Sequence, residues 1–130
     1  MFNHNTSFSS FSVDDLEKAR AFYGETLGIE VEAESGMGIR LHLAGGSKMV
    51  IYPKEDHTPA TFTILNFIVD DIDKAMETLR DKGVEFLRYD REDLPQDDRG
   101  VLRGLEAGMG PDVAWFEDPA GNVLSVLQEE

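Results

Sequence analysis

Apolar and polar positions follow two periods along this chain, and the switches between them lay out its elements. Residues 7–13 alternate as a strand, with Phe11 and Val13 on one face and Phe8, Ser10 and Ser12 on the other. After Asp14 the spacing turns helical: Leu16, Ala19, Phe22, Tyr23 and Leu27 form one stripe, and Gly28 suits the residue that closes it. Asp14 with Glu17 reads as the carboxylate form of a capping box at the helix start. Period two returns over residues 29–32, 39–43 and 48–52, with turns expected at Gly36 and Gly38 and at Ala44-Gly45-Gly46.

The pattern then repeats. Phe11-Ser12-Val13-Asp14-Asp15-Leu16-Glu17-Lys18-Ala19 returns 56 positions later as Phe67-Ile68-Val69-Asp70-Asp71-Ile72-Asp73-Lys74-Ala75, six of the nine residues being identical. The second copy predicts a helix with Ile72, Ala75, Met76 and Leu79 as its buried stripe, stopped at Gly83, and then a strand over residues 84–89. The chain closes on strand, turn, strand. Trp115 and Phe116 suit a half-buried strand; Asp118, Pro119, Gly121 and Asn122 reverse it; Val123, Ser125 and Leu127 then alternate with Leu124 and Val126.

The expected fold is therefore α+β, a single domain of two tandem βαβββ modules. Module one covers residues 7–53, the linker 54–60 and module two 61–128. Each module leaves one face of its sheet exposed, so the two are expected to join as a cupped mixed sheet around a concave space. Residues 90–112 have no counterpart of equal length in the first half and carry Pro95, Gly100, Gly104, Gly108, Gly110 and Pro111. A stretch this long is expected to cover the mouth of the cavity.

The run Phe116-Glu117-Asp118-Pro119-Ala120-Gly121-Asn122-Val123-Leu124 resembles the final hairpin of the vicinal oxygen chelate superfamily, which includes glyoxalases, bleomycin-resistance proteins and extradiol dioxygenases. Phe11-Ser12-Val13-Asp14-Asp15, the Phe22-Tyr23 and Leu27-Gly28 helix ending, and the repeat fall in the same register, so the resemblance covers nearly the whole chain. It looks closest to the small bacterial glyoxalase/bleomycin-resistance-like members. The resemblance implies the same cupped pair of modules. In the family's enzymes it also implies a divalent metal held by four His/Glu ligands, one each from the first and last strand of either module.

Carried onto this chain, those four positions are Phe8, Ile64, Ser125 and either Val50 or Ile51. Phenylalanine, isoleucine and valine have no donor atom, and a serine hydroxyl is weak beside imidazole or carboxylate. Of the three histidines, His4 lies in the polar N-terminal stretch and His57 in the linker. His42 should face the cavity with Arg40, opposite Leu41 and Leu43, and a neighbouring arginine repels a metal ion. The expectation is no metal and no cofactor.

Alternation gives the cavity set: Phe8, Ser10, Arg40, His42, Ile51, Ile64, Asn66, Trp115 and Ser125. It is apolar and aromatic with a few polar points, and no carboxylate falls on it, so paired-carboxylate chemistry has little basis. The net charge of −14, from 26 acidic against 12 basic residues, repels nucleic acid and anionic membrane. It either favours a cationic ligand or serves solubility alone. There is no cysteine, and no window approaches membrane-spanning length, so a cytoplasmic protein is expected.

The leading expectation is a metal-free binding protein of the bleomycin-resistance type, holding an aromatic or cationic small molecule and assembling as a two-fold homodimer. The alternative is an enzyme: a glyoxalase-like lyase or isomerase, or a dioxygenase, with a displaced metal or with metal-free acid–base chemistry at His42.

Overall fold

The computed structural model describes residues 1–33, 38–89 and 91–130. The turn expected at Gly36 lies outside them. Two compact units divide the chain, Met1–Pro59 and Ala60–Glu130. Each carries one mixed four-stranded sheet with its helices, the α+β two-module fold expected from the repeat.

The first unit runs β1 (Ser9–Val13), α1 (Leu16–Ala21), β2 (Glu30–Ala33), β3 (Ile39–His42) and β4 (Lys48–Pro53), in sheet order β1-β4-β3-β2. The second runs β5 (Thr63–Ile68), α2 (Ile72–Asp81), β6 (Leu102–Arg103), α3 (Gly104–Ala107), β7 (Asp112–Glu117) and β8 (Val123–Gln128), in order β5-β8-β7-β6. In both sheets the first strand pairs parallel to the last and the remaining pairs are antiparallel.

The repeat extends to the hydrogen bonds that start the helices. Asp15 and Asp71 hold nearly the same extended backbone, and each carboxylate accepts from the amide three residues on, Lys18 N and Lys74 N, at 3.1 Å. The cap is thus Asp15 rather than Asp14, because only that residue combines an extended backbone with reach to the third helical amide. After α1 the chain widens into a single π turn, Phe22–Thr26, with Leu27 N donating to Phe22 O at 2.9 Å. That turn sets Tyr23 fully inside, 5.2 Å edge-on from Phe22 and 5.9 Å from Phe11. Phe11, Val13, Ile39, Leu41, Met49 and Ile51 form the buried side of the first sheet. In the second unit Ile72 and Met76 of α2 are buried, with Ala114, Phe116, Leu124 and Val126 from the sheet against which α2 packs.

One expectation changes in the second unit. Residues 84–89 are not a regular strand: Phe86 makes one bridge to Phe116, and Leu87 N donates to Trp115 O at 2.8 Å. The outer hydrogen bonds that a neighbouring strand would fill are taken by the Gln96 side chain. Its amide donates to Leu87 O and Gly100 O, and its oxygen accepts from Tyr89 N at 2.6 Å. The fourth strand is β6, from the long stretch itself. Ion pairs draw residues 97–103 of that stretch to the helix side of the sheet. Arg103 reaches Asp73 on α2 as well as Asp97, and Arg80 of α2 donates to Arg99 O at 2.9 Å.

Candidate functional site

In the first unit the pairing register places Ser10 beside Val50, Val50 beside Arg40 and Arg40 beside Glu32. Ser10, Arg40 and His42 therefore share the side of the sheet opposite Leu41 and Ile39. His42 Nε2 lies 2.8 Å from Glu32 Oε2, so the imidazole sits beside a carboxylate as well as on the arginine's side of the sheet. Ser12 Oγ lies 2.7 Å from Nδ1 of His57, which ties the segment after β4 back to β1. One predicted position falls elsewhere. Ile51 pairs with Phe11 and Ile39 and is fully buried on the helix side; parity by one residue gives the open-face position to Val50. Phe8 precedes β1 and is 63% exposed.

The second unit gathers more of the predicted residues. Trp115 pairs with Ser125, and Ser125 with Asn66, so three strands bring the three side chains into one row. Ser125 is fully buried, and its hydroxyl donates to Asn66 Oδ1 at 2.5 Å. Phe116 lies in the core on the other side of β7, edge-on to Phe86 at 5.7 Å. Ile64 falls at a register shift between Thr63 and Leu65. The extra residue there breaks the alternation, and Thr63 is what reaches this row: the Trp115 indole N–H donates to its hydroxyl at 3.1 Å.

Two neighbours that sequence reasoning missed complete the row. Tyr89 stands edge-on to Trp115, with ring centroids 5.5 Å apart and planes at 81°. Burial, and then the charge of Glu117, push the Tyr89 phenol above its ordinary value. Glu117 is exposed and, two residues beyond Trp115 on β7, shares its side of the strand. This corrects the expectation that no carboxylate reaches the site; the i, i+2 rule applied to Trp115 was enough to find it. Nothing local in the sequence could have found Tyr89, which meets Trp115 only through the bridge at Phe86.

The donor set at the family's metal positions does not suit a metal. The side chains there are Phe8 and Val50 in the first unit and Ile64 and Ser125 in the second, and the Ser125 hydroxyl is already committed to Asn66. Among the described residues no group of three or more His, Asp or Glu side chains is placed to hold an ion.

The sequence profile of the Glyoxalase/Bleomycin resistance protein/Dioxygenase superfamily matches residues 3–126, and the chain belongs to that superfamily. No curated protein is a significant sequence match. Among solved structures, a glyoxalase family protein from Bacillus anthracis aligns with 23% identity over 100% of both chains, at a TM-score of 0.68. TnmS3, an antibiotic binding protein from a Streptomyces species, aligns with 23% identity over 99% of this chain and 100% of its own, at 0.68. FosX, a genomically encoded fosfomycin resistance protein from Listeria monocytogenes, aligns with 18% identity over 99% and 96%, at 0.70. At these identities the likeness establishes the fold. No helix among the described residues is long and apolar enough to cross a membrane.

Proposed function

We propose that this protein binds, without transforming it, a small organic cation with an aromatic body, on the Trp115 side of the second sheet. The observation that carries the reading is the corner made by Trp115, Tyr89 and Glu117. Two aromatic rings at right angles offer both a face and an edge, and a carboxylate stands beside them. Ring faces attract a cation through their quadrupole, by about 0.5–2 kcal/mol depending on desolvation. The Thr63 hydroxyl accepts from the Trp115 indole and fixes that ring, while the Ser125 hydroxyl is committed to Asn66. The net charge of −14 raises the local concentration of cations. The unsuitable donor set at the family's metal positions supports binding that needs no metal, and the antibiotic-binding description of TnmS3 supports a sequestering role on this fold.

Calorimetry with phenyltrimethylammonium and its neutral isostere tert-butylbenzene tests the reading. The cation should bind more tightly by about 1–2 kcal/mol, the scale of a cation–π contact. Equal affinities would remove the charge from the account.

A second reading, hydrolysis rather than the lyase, isomerase or dioxygenase chemistry expected at His42, has one observation behind it: the Ser12 hydroxyl 2.7 Å from the His57 imidazole, a nucleophile–base pairing. Turnover of an activated ester, lost in both Ser12→Ala and His57→Gln, would favour it.

We also propose a two-fold homodimer. Phe8, Phe62 and Ile68 are each more than 60% exposed, and such side chains are commonly covered by a second subunit. Light scattering that gives the monomer mass at high micromolar concentration would contradict it.

A further inference from the structure

The second unit carries a groove of about 460 Å³ on the helix side, lined by Arg80, Val84, Glu85, Phe86, Arg88, Asp98 and Arg99. We infer that this groove is a second binding site, for a singly charged carboxylate borne on a flat apolar body. The inference is independent of the cation site.

Most arginines of this acidic chain face carboxylates: Arg20 meets Glu17, Arg91 meets Asp93, Arg99 meets Asp73, and Arg103 meets Asp73 and Asp97. Arg80 and Arg88 differ. Among the described residues neither is paired with a carboxylate, although the chain has 26 acidic residues to offer. Each instead donates to a backbone carbonyl of one turn, Arg80 Nη2 to Arg99 O at 2.9 Å and Arg88 Nη1 to Asp98 O at 2.7 Å. Two permanent charges are thus tied to adjacent carbonyls, and each guanidinium keeps most of its five N–H donors. Arg80 is held a second way, 5.2 Å from the centre of the Phe86 ring.

An arginine fork matches the two oxygens of a carboxylate, and two forks side by side match it better than a point charge. Val84 and Phe86 provide an apolar wall for the rest of the molecule. Glu85 and Asp98 line the same groove and are exposed. Together with the charge of the whole chain they oppose a dianion, which selects a single carboxylate over phosphate.

An NMR titration that follows the arginine Nε–H signals and the phenylalanine rings tests this, with benzoate, benzyl alcohol and inorganic phosphate as probes. Benzoate should shift the Arg80, Arg88 and Phe86 signals saturably, while benzyl alcohol and phosphate bind at least about tenfold more weakly. Arg88→Gln and Arg80→Gln should each weaken benzoate by about tenfold or more, the cost of a lost charged hydrogen bond. Arg88 lies outside α2, so its variant is informative even where Arg80→Gln frays the helix end. Trp115 emission should stay unchanged with benzoate, which separates this site from the cation site. Shifts that never saturate, benzoate affinity unchanged in Arg88→Gln, or phosphate binding as tightly as benzoate would each overturn the inference.

Discussion

Arg103 grips Asp73 with two parallel hydrogen bonds, Nη2 to Oδ1 at 2.8 Å and Nη1 to Oδ2 at 3.1 Å, joining β6 to the first turn of α2. Its Nε donates to Asp97 Oδ2 at 2.8 Å, and Asp97 in turn accepts from the amides of Arg99 and Val101. One guanidinium therefore ties β6 and the turn at Asp97 to the start of α2. Arg103→Gln should destabilise the protein by about 2 kcal/mol, near the lower end for charged hydrogen bonds because Asp73 is partly exposed. Urea denaturation measures it, and a loss below about 0.5 kcal/mol, the scale of an ordinary surface change, would show the contact to be ornamental.

The same cluster sets an acid limit. The Arg103 hydrogen bonds hold the Asp73 carboxyl below its ordinary value. Burial raises that of Asp97, but the bonds from Val101 N, Arg103 and Arg99 N outweigh it and leave it lowered as well. A carboxyl whose folded value is depressed adds stability above its unfolded value of about 3.9, and that stability is lost as pH falls through the folded value. Melting temperature should therefore fall below about pH 4, and by less in Arg103→Gln, where the Arg103 share of the depression is lost and only the Arg99 and Val101 contributions remain. Parallel acid curves for the two proteins would contradict this origin.

Gly104 opens α3 where the backbone doubles back. A Cβ built there would lie 2.3 Å from Pro111 O and 2.8 Å from Gly110 O, closer than any real contact. Both obstacles are backbone, so nothing flexible can yield. Gly104→Ala should cost about 1–3 kcal/mol, the range of overpacking, read as a lower denaturation midpoint with an unchanged slope. A neutral substitution would mean that the turn is looser than its geometry.

Much of the fold was legible because the repeat doubles every signal. The 56-residue period pairs Asp15 with Asp71 and β1 with β5, and the hairpin signature at Asp118 is read directly as a turn. There the Asp118 carboxylate accepts from Ala120 N and Asn122 N, both at 2.9 Å, and from the Asn122 side chain. Parity errors account for several misses. Ile51 and Val50 differ by one residue, and the register shift at Ile64 inserts a residue that no periodicity reveals. Residues 84–89 carry a genuine strand pattern, yet Gln96, a side chain from the following stretch, satisfies their outer edge. In the site, Asn66, Trp115 and Ser125 followed from alternation. Tyr89 and Thr63 depend on contacts across 26 and 52 positions, beyond local reasoning.

Trp115 is the only tryptophan, so emission reports directly on the proposed cation site. Titration with phenyltrimethylammonium, in chelator, should quench or shift that emission to saturation. Glu117→Gln should weaken the binding by about 1 kcal/mol, as expected for a partly exposed charge partner, without changing the melting temperature. Emission indifferent to the cation, or an affinity that Glu117→Gln leaves untouched, would contradict the account.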